Sequence, residues 1–156
     1  MAEIQYSLFE YLARLSSEDS DVRMSAVQNL SEGVAKGLLI FDDEYQIQVI
    51  YRVLALLEDQ KIQIKNEAVK CLAAFVKKFP PREVESVLTI LSTNVISNFR
   101  RLRDISIHTL KLIFSELPQA FSLPEHICEI ISDVLDTAVY NVQLKFLFPD
   151  GLFLNG

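Results

Sequence analysis

Between residues 62 and 79 the apolar positions Ala68, Val69, Leu72, Ala73, Val76 and Phe79 step by one, three or four. Such steps gather side chains on one face of an α-helix, which turns once every 3.6 residues. Ile47, Ile50, Val53, Leu54 and Leu57 repeat the pattern within 42–58. A half-buried strand needs strict alternation over a short run, and none is present. Stop and start residues bracket the periodic runs. Gly37 ends a helix over 21–36, since glycine accepts the left-handed backbone of a helix end. "FPPREVE" (79–85) closes one helix and opens another, with Pro81 tolerable in a first turn. Pro118 closes the helix of 102–117, and Ser122 with Glu125 three residues on forms a capping box. The pattern predicts helices over 3–16, 21–36, 42–58, 62–79, 82–96, 102–117 and 124–138.

The helices also repeat one another. "SDVRMSAVQNL" (20–30), "IQIKNEAVKCL" (62–72) and "RRLRDISIHTL" (100–110) share one layout. Ala26-Val27, Ala68-Val69 and Ser106-Ile107 align, and Leu30, Leu72 and Leu110 close each segment, at spacings of 42 and 38. Val22, Ile64 and Leu102 form one column, and Arg23, Lys65 and Arg103 the next. A period near 40 with two helices per unit is that of HEAT and armadillo solenoids. The expected fold is all-α, an α-solenoid (an armadillo-like superhelix) of about three and a half repeats. Its array covers 1–140, with units near 1–39, 40–80 and 81–120 and an incomplete one at 121–145. A non-repeat apolar tail occupies 146–156.

The small residue in each second helix has a packing role. Helices approach to about 8–10 Å only where the side chains at the crossing permit it, which assigns Ala26, Ala68 and Ser106 to close crossings. Neither helix of a unit covers its apolar face alone, and stacking completes the core. The basic column reads first as a repeat marker: such residues pair with an acid or a carbonyl of the adjacent unit, and Asp21 and Asp104 stand close in sequence. "RRLRD" (100–104) places three arginines in a predicted inter-helix turn, a solvated turn or a contact for an acidic partner patch.

Composition narrows the function. Half of the residues are hydrophobic, enough for an apolar interior. Twenty-one acidic and 15 basic residues leave a net charge of −6, against the basic excess of nucleic-acid binders. Cys71 and Cys128 lie far apart in apolar runs and imply no disulfide framework. "MAEIQYSLFEYLARL" lacks the basic start and long apolar core of a signal peptide. The run "VLALL" (53–57) is far shorter than the ~20 residues that span a bilayer. The chain reads as soluble and intracellular, with no membrane partner.

Catalytic and metal-binding patterns are missing. His126 and Cys128 sit two apart on a predicted helix and point to different faces, and no CxxC or HExxH occurs. Cys71 and Cys128 fall on apolar faces as core thiols. "SEDSD" (17–21) and "DDE" (42–44) lack the glycine and spaced acids of a calcium loop, and sit where acids cap helices. With four glycines and no GxGxxG, Walker or GxSxG pattern, neither an enzyme nor a cofactor or small-molecule ligand is expected.

The words "LLED" (56–59), "EAVKCL" (67–72), "LRDIS" (102–106) and "ELP" (116–118), in that order, closely resemble the N-terminal HEAT repeats of the cullin-associated and neddylation-dissociated proteins. These are also called TATA-binding-protein-interacting proteins. The resemblance covers roughly 4–145. It implies a cytoplasmic and nuclear α-solenoid that wraps an unneddylated cullin with its RING-box partner and promotes exchange of substrate receptors on cullin-RING ubiquitin ligases. In that family the N-terminal repeats lie towards the RING-bearing end of the cullin. The element competing with the receptor adaptor belongs to far C-terminal repeats, so exchange itself does not carry over to these residues.

The fourth unit departs from the repeat. After "TAVYNVQLK" (137–145) comes "FLFPDGLFLNG", in which Pro149 and Gly151 stop a helix and "PDG" reads as a turn. This end reads as foreign to the array: a truncated product, an alternative exon or an incomplete gene model. The expected function is a protein-interaction scaffold in cullin-RING ligase assembly, with contacts through Lys65, Lys70, Arg100, Arg101 and Arg103. The alternatives are another HEAT scaffold, for nuclear transport or a phosphatase, and a truncated isoform without independent binding.

Overall fold

The computed structural model describes residues 8–37, 43–95, 97–116 and Glu129. Six α-helices lie among them: α1 (Leu8–Leu15), α2 (Ser20–Ala35), α3 (Asp43–Ala55), α4 (Ile62–Lys78), α5 (Pro81–Asn94) and α6 (Arg100–Glu116). The described residues contain no strand. None of their helices is long and apolar enough to cross a membrane. The expected last helix (124–138) and the tail at 146–156 lie outside the described residues, apart from Glu129, which is helical.

The chain divides into two compact units, Met1–Glu83 and Val84–Gly156. In the first, α1 packs on α2 and α3 packs on α4, giving two hairpins. Across them α1 meets α3 and α2 meets α4, the broadest of these contacts. Two hairpins stacked helix on like helix are the building block of an α-solenoid. Ala26 and Ala68, the small residues in register, are both buried, and so are Val27, Val69, Leu30 and Leu72. Their small side chains let α2 and α4 approach along the seam that the leucines fill. Tyr11, Leu12 and Leu15 on α1 match Val53, Leu54 and Leu57 in the second hairpin at a spacing of 42, and all six are buried.

In the second unit α5 buries Val84, Val87, Leu88 and Leu91, a helical face. α6 buries Ser106, Thr109, Leu110 and Ile113, whereas Ile107 is only half-buried. Ser106 occupies the column of Ala26 and Ala68 and is just as enclosed.

Local chemistry sets the ends. Gly37 follows α2 with φ +71°, and its N–H donates to the Val34 carbonyl at 3.0 Å, the left-handed stop expected of it. Pro81 is the first residue of α5. Two of the boundaries that differ from expectation have a visible local cause. The predicted helix 42–58 gives way after Ala55 to a 3₁₀ turn, Leu56–Glu58. This tightening buries both Leu56 and Leu57, and Asp59 N–H closes it on the Leu56 carbonyl at 3.1 Å. α6 starts at Arg100, two residues early, so the three arginines belong to a helix and not to the turn before it. The cause is Ser97, which binds Phe99 N–H at 3.1 Å and turns the chain in time for Arg103 N–H to reach the Phe99 carbonyl at 3.0 Å.

Candidate interaction surface

The turns before α2, α4 and α6 are built alike. Ser17 Oγ accepts Asp19 N–H at 3.1 Å, Asp59 Oδ1 accepts Lys61 N–H at 3.0 Å, and Ser97 Oγ accepts Phe99 N–H at 3.1 Å. These residues recur at spacings of 42 and 38, each six positions before the basic column. A short side-chain oxygen that holds the N–H two residues on is a local device for reversing the chain. The column Ser17, Asp59 and Ser97 went unread in the sequence, although the repeat register contains it.

The middle member, being charged, gains a second role. Arg23 Nε and Nη2 bind the two Asp59 carboxylate oxygens at 2.7 and 3.1 Å, a forked pair between the first hairpin and the second. Arg23 Nη1 also donates to the carbonyls of Ser17 and Glu18, at 2.8 and 3.2 Å. The basic column does pair with the adjacent unit here, through Asp59 and not through the nearby Asp21. Asp59 is 5% exposed in its side chain. Burial pushes its pKa up, but the hydrogen bonds from Arg23 and Lys61 N–H and the charges of Arg23 and Lys65 outweigh that and hold it below the usual aspartate value. A second tie joins the same two hairpins, from the Arg52 guanidinium to Ser16 Oγ.

The five cations singled out in the sequence divide between the two units, two lysines in the first and three arginines in the second. Lys65 on α4 is half-buried beside Asp59, while Lys70 is exposed, 3.8 Å from Glu67. Five residues apart, the two lysines point about 140° apart around the helix, so they share no face. Arg100, Arg101 and Arg103 occupy the first turn of α6, the first two exposed and the third half-buried. Asp104 pairs with Arg100 at 3.9 Å, not with Arg103. Phe99, just before them, is 72% exposed. Sequence reasoning passed over it; its place in the column of Asp19, which caps α2, and of Lys61, which makes no capping bond, was the available signal.

Cys71 is fully enclosed on α4, and burial, with the charge of Glu67, raises its pKa well above that of a free thiol. Among the described residues no group of three or more His, Cys, Asp or Glu side chains could hold a metal ion. Cys128 and His126 lie outside them.

Comparison with known proteins places this geometry. Cullin-associated NEDD8-dissociated protein 1 of Drosophila melanogaster is 39% identical over 141 residues, 89% of this chain. Cullin-associated NEDD8-dissociated protein 2 of Mus musculus is 34% identical over 131 residues, 82% of the chain. The chain belongs to the cullin-associated NEDD8-dissociated family. It spans 11% of the length of each of these two relatives. The Dictyostelium discoideum protein 1 of the cullin-associated NEDD8-dissociated family is 28% identical over 117 residues. No family model matches the chain. Among solved structures, the crystal structure of an engineered protein matches 94% of this chain and 60% of its own, with a TM-score of 0.53 and 17% identity, a likeness of fold.

Proposed function

We propose that this chain is a protein-interaction scaffold that binds a cullin, together with its RING-box partner, and serves in the assembly of cullin-RING ubiquitin ligases in the cytoplasm and nucleus. The observation that carries this reading is the 39% identity, over 89% of the chain, to a protein named for its association with cullins. Stacked hairpins support it, because a solenoid offers ridges and turns for protein contact. The cations Lys65, Lys70, Arg100, Arg101 and Arg103 are the proposed contacts, and no catalytic role is assigned to the chain. Because 11% of a relative's length keeps few of a long arch's contacts, the expected affinity is low.

Capture of a purified cullin–RING-box pair by the immobilised chain, at roughly micromolar concentration, tests the reading. Retention of the pair supports it, and retention lost on replacing Arg100, Arg101 and Arg103 by glutamine supports that patch. Equal retention by the triple variant rejects the patch. A chain that retains no cullin, but holds a small GTPase or a phosphatase subunit instead, rejects the function.

A further inference from the structure

The start of α6 breaks three local rules that the start of α2 obeys. The start of α4 breaks two of them, with no side-chain cap at Lys61 and no acid in its first turn. Asp19 caps α2 by accepting Asp21 N–H at 2.9 Å, and Asp21 puts an acid in the first turn. In the same column α6 has Phe99, whose ring accepts no hydrogen bond, so the first N–H groups lose a side-chain partner. Its first turn holds Arg100, Arg101 and Arg103 and no acid, against the helix dipole. Phe99 itself stands in solvent. One exposed apolar residue is ordinary. An exposed ring beside two exposed guanidinium groups is found at neither of the other two starts. Sequences depart from local consistency chiefly at working surfaces.

We propose that Phe99 with the exposed Arg100 and Arg101 forms a docking point for an acidic segment of a partner protein that carries one large apolar side chain. The proposal rests on the scaffold role above and adds the chemistry of what is gripped. Charge is the first argument. The chain is acidic, at −6, yet residues 99–103 hold three cations and no anion; without those three the charge would be −9. The neighbouring acid Asp104 does not neutralise them. Its contact with Arg100 is at 3.9 Å, with the Arg100 side chain 85% exposed, and such pairs contribute little. Carboxylates of a partner can therefore take forked hydrogen bonds from these guanidinium groups.

Preorganisation is the second argument. Phe99 is held at both backbone ends, by Ser97 Oγ on its N–H and by Arg103 N–H on its carbonyl. Little backbone order remains to be lost on binding. Helical Cα–Cβ bonds tilt towards the N-terminus, so the arginines lean to the Phe99 end. Aromatic and arginine side chains are the types enriched at the centres of protein interfaces.

The test uses the full chain and a labelled peptide of alternating glutamate and leucine, with an all-glutamate peptide and a lysine–leucine peptide as comparisons. Tightest binding is expected for the glutamate–leucine peptide. Phe99→Ser should weaken that peptide about tenfold and leave the all-glutamate peptide unchanged, while Arg100→Gln with Arg101→Gln weakens both. Serine is a capping residue, so Phe99→Ser should also raise Tm, which separates lost binding from lost folding. Equal binding by Phe99→Ser, or equal binding of the lysine–leucine peptide, overturns the docking point. Peptide binding without cullin capture retires the cullin reading and leaves the docking point standing. Cullin capture without peptide binding does the reverse.

Discussion

Asp59 serves two structures with one carboxylate: its own turn, through Lys61 N–H, and the preceding hairpin, through Arg23. Its depressed pKa ties stability to pH. The contribution is whole above the ordinary aspartate value of 3.8 and is lost as pH falls through the lower folded-state value. Arg23→Met leaves this enclosed carboxylate without its forked partner. We expect a loss of about 1–3 kcal/mol near neutral pH in urea titrations. The acid-unfolding midpoint should also move to higher pH, since burial of Asp59 is then less opposed. An unmoved midpoint would show that the pair adds nothing. Ser106 poses the opposite case: its hydroxyl is enclosed and has no hydrogen-bond partner. Ser106→Ala, matching Ala26 and Ala68, should raise stability by up to about 1 kcal/mol, read from the denaturation midpoint. A drop would mean that the hydroxyl is satisfied in solution.

At the scale of the element, two substitutions test the hairpin geometry. A Cβ added at Gly37 meets nothing within 4 Å, so the cost of Gly37→Ala comes from backbone strain at φ +71° alone, about 1 kcal/mol. Ala68→Leu crowds the α2–α4 seam and should cost at least about 1–3 kcal/mol, with both helices losing protection in hydrogen exchange. The helices were legible because burial imposes period: Ala68, Val69, Leu72 and Val76 are buried as their spacing requires. Phe75 and Ile64, equally enclosed, widen that face beyond the residues first assigned to it. Ends were harder to read. The 3₁₀ turn at Leu56 and the early start at Arg100 depend on single hydrogen bonds, from Asp59 N–H and to Ser97 Oγ, which no hydrophobic count registers.

On the scale of the whole molecule, the solenoid class could be read because it lives in the repeat register, and the family because "LLED", "EAVKCL", "LRDIS" and "ELP" resemble its repeats in order. The candidate surface was legible only in part. Charge marked Arg100 and Arg101, but exposure decides which cations are free to act, and Lys65 turns out to be half-buried beside Asp59. The Arg23–Asp59 bridge was hidden because it spans 36 residues. Partner capture through exposed cations should fall as salt rises, since screening acts on solvated charges; capture that is flat in salt would point to an apolar contact.

Cys71, sealed into the stacked pair of hairpins, makes a natural clock. A thiol reagent cannot reach it until α4 lifts away from its neighbours, so the rate of modification follows how often and how long α4 stands open. In a Cys128→Ser background the labelling rate of Cys71 should rise in Arg23→Met, whose bridge to the second hairpin is cut. The Phe99→Ser chain should react at the parent rate.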